Sequence, residues 1–132
     1  MKVFADTFFY LALLDSSDSA HDRAVSATRK LDSVTVTTAW VLLELANALS
    51  APSHRKIFVD FLNKSRANPR VVIYEAERQL FDEGVEHYRA RPDKSWSLTD
   101  CISFVVMERE GIAEALTGDR HFEQAGFKAL LR

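Results

Sequence analysis

The chain is poor in the residues that several common kinds of functional site require. It has one cysteine, Cys101, so it cannot form an internal disulfide, and we expect a reducing, cytoplasmic setting. Its four glycines are scattered and make neither a phosphate-binding P-loop nor a dinucleotide-binding fingerprint. Its four histidines lack the spacing of a zinc site. No G-x-S-x-G turn is present, which disfavours a serine hydrolase but leaves that chemistry open.

The sequence also lacks a strong charge of either sign and a long apolar run. The formal net charge is −2 at pH 7, so no overall positive field favours the binding of a polyanion. This argues only weakly against a nucleic acid substrate, because a site built of carboxylates itself lowers the total charge. No stretch approaches the roughly 20 apolar residues of a membrane-spanning helix, and Asp6 interrupts the signal-like start. We therefore expect neither a membrane segment nor a signal peptide.

The remaining composition, with 47% hydrophobic residues, is that of a globular protein, and we expect a single domain over residues 1–132. Apolar patterning predicts strands and helices in alternation. The predicted strands are 2–5, 34–37, 70–74, 113–117 and 127–131. The predicted helices are 7–14, 19–31, 39–49, 54–67, 75–90, a buried helix that begins near Ser97, and a helical turn at 121–124.

Strands that alternate with helices predict an α/β fold, a three-layer sandwich with a central, mainly parallel five-stranded sheet. Right-handed crossovers place strands one to three in one direction and strands four and five in the other. The first and fourth strands then meet at the topological switch point, where ligands bind beyond the carboxyl ends of the strands. Asp6 ends the first strand and Asp119 follows the fourth, so we expect them to meet there. Each could also be simply the N-cap of the helix that follows it.

The segment 97–107 is a polar start followed by an apolar run at helical spacing, with Asp100 at the junction. Ser97 and Asp100 have the spacing of a capping box, in which the carboxylate binds free amides of the first helical turn. A functional carboxylate is the second interpretation, and three further acids in the chain favour it. One of them, Glu44, has mainly apolar neighbours on its predicted helix, a setting that is costly for a charge unless it is paired or coordinated.

Converging carboxylates would raise one another's pKa unless a cation compensated their charge. No lysine or arginine is adjacent to Asp6, Glu44 or Asp100 in the sequence. A cluster of oxygen ligands without cysteine or histidine suits a hard ion such as Mg²⁺ or Mn²⁺. Such an ion would activate a water and neutralise the charge that develops on a phosphoryl group.

These features resemble the PIN-domain nucleases. The matching segments are Val3–Thr7, Glu44 on the third helix, Trp96–Phe104 and Leu116–Phe127, in the same order and across nearly the whole chain. The resemblance implies a parallel sheet flanked by helices and an acidic pocket that binds Mg²⁺ or Mn²⁺. It also implies hydrolysis of RNA phosphodiester bonds that leaves a 3′-hydroxyl and a 5′-phosphate. By the same resemblance, the catalytic and metal-binding residues are Asp6, Glu44, Asp100 and Asp119, with Thr7 and Thr117 as supporting hydroxyls.

The small size resembles the toxin subunits of VapBC-type toxin–antitoxin pairs, which implies a homodimer that a cognate antitoxin inhibits. A stand-alone nuclease of RNA processing and a non-catalytic RNA- or protein-binding module on the same fold are the alternatives. Apolar residues on nearly all sides of the first helix, at 8–14, predict a surface for a partner. Arg120 and His121 are candidate substrate contacts beside Asp119. The basic segment 54–70 is either a phosphate-binding rim or an exposed helix face.

Overall fold

The computed structural model describes all 132 residues. The strands are β1 (Lys2–Ala5), β2 (Val34–Thr38), β3 (Val71–Tyr74), β4 (Glu114–Leu116) and β5 (Lys128–Ala129). The helices are α1 (Thr7–Leu14), α2 (His21–Lys30), α3 (Ala39–Ala48), α4 (Arg55–Ala67), α5 (Arg78–Ala90), α6 (Leu98–Glu110) and α7 (Arg120–Gln124). Every predicted strand and helix is present, with bounds shifted by a few residues. None of the helices has the length and apolarity needed to cross a bilayer.

The five strands form one sheet in the order β3-β2-β1-β4-β5, and all neighbouring strands run parallel. β1 is the middle strand, with Lys2 opposite Val34 of β2 and Phe4 opposite Ala115 of β4. Beyond the ends of β1 and β4, the amide of Asp6 still donates to the carbonyl of Leu116 at 3.3 Å. The predicted switch point between the first and fourth strands is therefore confirmed.

Helices cover both faces of this sheet. α1 packs against α2 and α3, and α3 packs against α4, whereas α5 packs against α6 and α6 against α7. Right-handed crossovers assign the first group to one face and the second group to the other. Buried aromatic rings connect α6 to the sheet: the ring centroid of Phe122 lies 5.0 Å from that of Phe104 and 6.3 Å from that of Phe4. The predicted three-layer α/β sandwich is confirmed.

The helix that carries Asp100, α6, is buried along most of its length. Its close neighbour is α5, where a Cβ added at Gly84 would lie only 2.2 Å from Cγ1 of the buried Ile102. Glycine is therefore the residue that allows the two helices to approach this closely. α6 ends at Gly111, whose φ of 67° is the left-handed conformation that glycine favours at a helix end.

The prediction that α1 presents apolar surface to a partner stays a prediction, because Phe8, Leu11, Leu13 and Leu14 are only partly buried. Phe9 and Tyr10 are buried, and the other apolar residues of α1 pack partly buried against the core. α1 packs against α2 and α3. The ring of Phe61 on α4 also lies 5.0 Å from the ring of Tyr10. Besides Met1, the exposed large apolar side chains are Leu43 of α3, Ile57 and Val59 of α4, Val72 of β3, and Phe81, Val85 and Tyr88 of α5.

Candidate active site

Asp6 and Thr117 form the base of the site, at the carboxyl ends of β1 and β4. Asp6 is only 4% exposed, and its side chain makes no capping hydrogen bond to α1. Instead the hydroxyl of Thr117 donates to Oδ2 of Asp6 at 3.0 Å. The same hydroxyl oxygen accepts a hydrogen bond from the amide of Asp119 at 3.0 Å. Thr117 thereby connects the acid that ends β1 to the loop that follows β4.

Asp100 lies in the first turn of α6 and takes part in two sets of contacts. Its Oδ2 accepts from the amide of Ser97 at 3.2 Å, and its own amide donates to Oγ of Ser97 at 3.0 Å, which completes a capping box. The same Oδ2 lies 3.0 Å from Nδ1 of His121 at the start of α7. From the sequence alone, the capping and functional interpretations of Asp100 are alternatives. In the folded chain, the capping carboxylate is also the one that faces the loop after β4.

Asp119 caps α7, because its Oδ1 accepts from the amide of His121 at 2.9 Å. This Oδ1 also lies 3.6 Å from Nδ1 of His121, so the imidazole approaches the carboxylates of both Asp119 and Asp100. One potential ligand atom from each of the three residues lies within 4.8 Å of the other two. The sequence predicts His121 only as a substrate contact, although its position two residues after an N-cap acid is a signal for its contact with Asp119. Arg120, the other predicted substrate contact, is exposed at the start of α7.

Glu44 differs from the other three acids because its side chain is exposed. The prediction of a costly charge in apolar surroundings is wrong, since Val41 and Leu45 of α3 are the residues that face the core. The negative charge of Glu44 nevertheless contributes to raising the pKa of Asp6, so the two carboxylates are within electrostatic reach. The hydroxyl of Thr7 lies 3.5 Å from the carbonyl of Val41 and thus supports α3 rather than Asp6. Glu44 therefore lies at the solvent side of the acidic cluster.

The electrostatics of the site are most strongly perturbed at Asp6. Burial raises the pKa of Asp6 to about 7, and the negative charges of Asp100 and, to a smaller extent, Glu44 act in the same direction. The hydrogen bond from Thr117 opposes this shift. Without a cation, the folded chain therefore holds a proton on Asp6 far more readily than an exposed aspartate would.

Asp100 is perturbed in the same direction. Burial raises its pKa, and the charge of Asp119 adds to this effect, whereas hydrogen bonds from His121 and the Ser97 amide oppose it. His121 is the only basic side chain that pairs with any of the four acids. The cluster thus concentrates negative charge that no lysine or arginine neutralises.

This donor set fits a divalent cation. Carboxylate oxygens are the ligands that Mg²⁺ and Mn²⁺ prefer, and an imidazole nitrogen is an additional ligand that Mn²⁺ accepts. Asp6 and Glu44 lie outside the group formed by Asp100, Asp119 and His121. A dication bound beside Asp6 and Asp100 would offset both the burial and the repulsion that raise their pKa values. His121 lies where it could join the ligands, and Glu44 could contribute from the solvent side.

The fold and the acidic site together define the class of protein. The chain belongs to the PIN domain family, which matches residues 3–128. That range includes the four acids and both threonines that the sequence resemblance singled out. The resemblance to PIN-domain nucleases is confirmed.

Individual similar proteins indicate a group within the PIN domain family. The chain is 30% identical over 128 residues, 95% of each protein, to the 23S rRNA-specific endonuclease VapC20 of Mycobacterium tuberculosis strains CDC 1551/Oshkosh and H37Rv. It is also similar to the crystal structure of Mycobacterium tuberculosis VapC20, a sarcin–ricin loop cleaving toxin, with a TM-score of 0.86, 26% identity and 95% of both chains covered. These similarities confirm the predicted resemblance to toxin subunits and the predicted class of function, a nuclease that acts on RNA.

Proposed function

We propose that the chain is an endoribonuclease that depends on Mg²⁺ or Mn²⁺ held by Asp6, Glu44, Asp100 and Asp119. The observation that carries the proposal is the meeting of acids from three separate elements at the switch point without a lysine or arginine to pair with them. Such an arrangement is unfavourable for an empty structural site, because like charges repel and burial disfavours each of them. A bound dication turns the same arrangement into a favourable one.

Hydrogen bonds orient two of the four acids. Thr117 holds Oδ2 of Asp6, and the amide of Ser97 together with His121 holds Oδ2 of Asp100. When bound, the metal supplies a Lewis acid that activates water and neutralises charge on the phosphoryl group. We assign Glu44 to orient the attacking water, since it is the acid most open to solvent. The expected products carry a 3′-hydroxyl and a 5′-phosphate.

The substrate we propose is a loop of ribosomal RNA. The proposal is supported by the similar proteins, which are named for cleavage of 23S rRNA and of the sarcin–ricin loop. Loops expose unpaired bases for recognition, whereas the deep, narrow major groove of duplex RNA hides them. The reaction would then take place in the cytoplasm, where ribosomes are found.

We further propose that the chain is a toxin that acts as a homodimer and is inhibited by a cognate antitoxin. Exposed apolar side chains on α3 and α5 support the homodimer: Leu43 is 57% exposed, and the rings of Trp40 and Phe81 lie 6.3 Å apart. A basic antitoxin side chain in the acidic pocket would form a charge-assisted pair and exclude the metal. Inhibition by an antitoxin also explains how a cell could tolerate the nuclease.

The test uses purified protein and intact ribosomes, with RNA ends mapped by primer extension in Mg²⁺, Mn²⁺ and EDTA. We expect cleavage only with metal, and no cleavage by the Asp119→Asn variant, whose asparagine can still cap α7. The matched control is Asp18→Asn, because Asp18 accepts an amide hydrogen bond from Ala20 at the start of α2 in the same way. Cleavage in EDTA, or equal cleavage by wild type and Asp119→Asn, would contradict the proposal.

A further inference from the structure

A cavity of about 710 Å³ lies between the last turn of α5 and the loop that leads to α6. We call it the α5–α6 cavity, and the residues that define it here are Tyr88, Arg89, Arg91, Lys94, Trp96 and Ser97. It is separate from the four acids, none of which lines it. The phosphate-binding rim that the sequence suggests lies elsewhere, in the segment 54–70.

The charge of the cavity is opposite to that of the acidic site. Arg89, Arg91 and Lys94 line it, and no aspartate or glutamate does. Arg89 is paired with Glu86 on the same helix, so the positive charge of the cavity rests mainly on Arg91 and Lys94. Arg91 forms a two-point ion pair with Asp93, at 3.0 and 2.9 Å, outside the lining. This exposed pair is weak enough for a phosphate to compete with it. Lys94 forms no ion pair, although it is close enough to Asp93 to contribute to lowering the pKa of that carboxyl.

The wall of the cavity is fixed by the indole of Trp96, which is 5% exposed. Its Nε1 donates to Oε1 of Gln124 at 3.0 Å, and the ring of His87 lies parallel to it at 5.8 Å. The guanidinium of Arg91 lies 5.1 Å from the centre of the indole, within the range of a cation–π contact. Tyr88, by contrast, is 54% exposed and offers a free aromatic ring at the opening.

Two contacts join the cavity to the acidic site. Ser97 lines the cavity and is also the N-cap residue hydrogen-bonded to Asp100. Gln124, which holds Trp96, lies on α7, the helix that Asp119 caps. The cavity and the acidic site are therefore adjacent at the start of α6.

We propose that the α5–α6 cavity binds the nucleotide adjacent to the cleaved phosphate, with Lys94 and Arg91 contacting its phosphate and Tyr88 stacking on its base. This inference rests on the proposed cleavage of RNA. It explains how an acidic site can attract a polyanion, because the cations beside the acids offset their repulsion of neighbouring phosphates. Aromatic stacking with basic side chains is also the combination that single-stranded RNA favours.

The experiment measures binding of a fluorescent single-stranded oligoribonucleotide by anisotropy between 50 and ~200 mM NaCl. All variants are made in the Asp100→Asn background, so that RNA is not cut. We expect Lys94→Ala to weaken binding several-fold and to lower the slope of log K against log salt by about 0.7, the value for one phosphate contact to a single strand. Tyr88→Ala should weaken RNA binding about tenfold or more without changing that slope. Tyr88→Phe, which keeps an aromatic ring, should bind RNA as the parent does.

Lys30→Ala is the matched control, because Lys30 is an exposed lysine at the end of α2, a helix on the other face of the sheet from α5 and α6. The inference is overturned if Lys94→Ala and Tyr88→Ala bind RNA as tightly as their parent, or if Lys30→Ala loses as much. It is also overturned if Tyr88→Ala leaves RNA binding intact and instead dissociates a dimer in sedimentation. That outcome would assign the cavity to a protein interface.

Cleavage and binding measurements together distinguish failure of the cavity inference from failure of the proposed nuclease function. If the wild type cleaves RNA and the cavity variants bind it normally, only the cavity inference fails. If the wild type neither binds nor cleaves RNA with metal present, both fail together.

Discussion

Oδ2 of Asp100 accepts hydrogen bonds from the amide of Ser97 and from Nδ1 of His121, so one oxygen serves both a helix cap and the acidic site. The helix N-terminus favours a negative charge there, whereas burial and the charge of Asp119 disfavour it. The net result is a raised pKa. At the scale of the residue, the acids therefore reduce the stability of the metal-free chain.

Replacement of Asp100 by asparagine tests this balance. Asp100→Asn keeps the shape and one oxygen acceptor but removes the charge, so we expect no nuclease activity and an equal or higher Tm in EDTA. The control is Asp22→Asn, which removes an acid from the first turn of α2 and should leave cleavage unchanged. Full metal-dependent cleavage by Asp100→Asn would show that Asp100 is only a cap.

The pKa of Asp6 predicts how stability depends on pH without metal. Its folded-state pKa of about 7 exceeds the ordinary value of 3.8, so between those pH values the folded chain binds more protons than the unfolded chain. The contribution of Asp6 to the free energy of unfolding therefore falls as pH rises through this window, by up to about 4 kcal/mol, and is constant above it.

Urea unfolding in EDTA at several pH values would measure this effect as the difference between wild type and Asp6→Asn. We expect the wild type to lose stability relative to the variant as pH rises, and Mn²⁺ to restore it at neutral pH. A difference that does not change with pH would contradict the assignment of a buried, repelled carboxylate.

At the scale of the elements, the position of α6 depends on its contact with α5. Gly84 faces Ile102 so closely that a methyl group has no room. The same pair of helices sets the α5–α6 cavity at one end and the place of Asp100 at the start of α6. A small change in this packing should therefore affect both the stability of the chain and the position of Asp100.

We expect Gly84→Ala to destabilise the chain despite the better helix propensity of alanine. Overpacking costs about 1–3 kcal/mol, against a gain of up to ~1 kcal/mol from propensity. Thermal unfolding measures the effect. The double variant Gly84→Ala/Ile102→Ala should lose less stability than the two single losses added together, because the smaller partner makes room. Strict additivity would show that the two positions do not clash.

The elements and the meeting of Asp6 with the loop of Asp119 could be predicted from the sequence. Hydrophobic periodicity identifies each strand and helix, and right-handed crossovers bring Asp6 and Asp119 to one edge. The apolar surroundings predicted for Glu44 are wrong, because α3 is apolar on several sides and periodicity does not tell which side the core covers. The pairing of His121 with Asp100 and the basic cavity at 88–97 depend on how α6 lies against α7 and α5, which no local pattern encodes.

At the scale of the whole molecule, apolar side chains of α3 and α5 are exposed, whereas those of α1 are buried or half-buried. Leu43, at 57% exposed, belongs to this surface. If two copies pair through it, Leu43→Glu should shift sedimentation from dimer to monomer at tens of micromolar without lowering Tm. Val59→Glu on α4, where Val59 is 51% exposed, is the control and should remain dimeric. A wild-type chain that sediments as a monomer would contradict the predicted homodimer.

Anomalous diffraction from crystals soaked in Mn²⁺ tests most directly whether the acids at the switch point hold a catalytic divalent ion. We expect a manganese peak roughly 2–2.5 Å from carboxylate oxygens of Asp6, Asp100 and Asp119, and its loss in crystals of an Asp6→Asn/Asp100→Asn variant. Saturating Mn²⁺ with no peak among these carboxylates, in a chain that still cleaves RNA, would contradict this assignment.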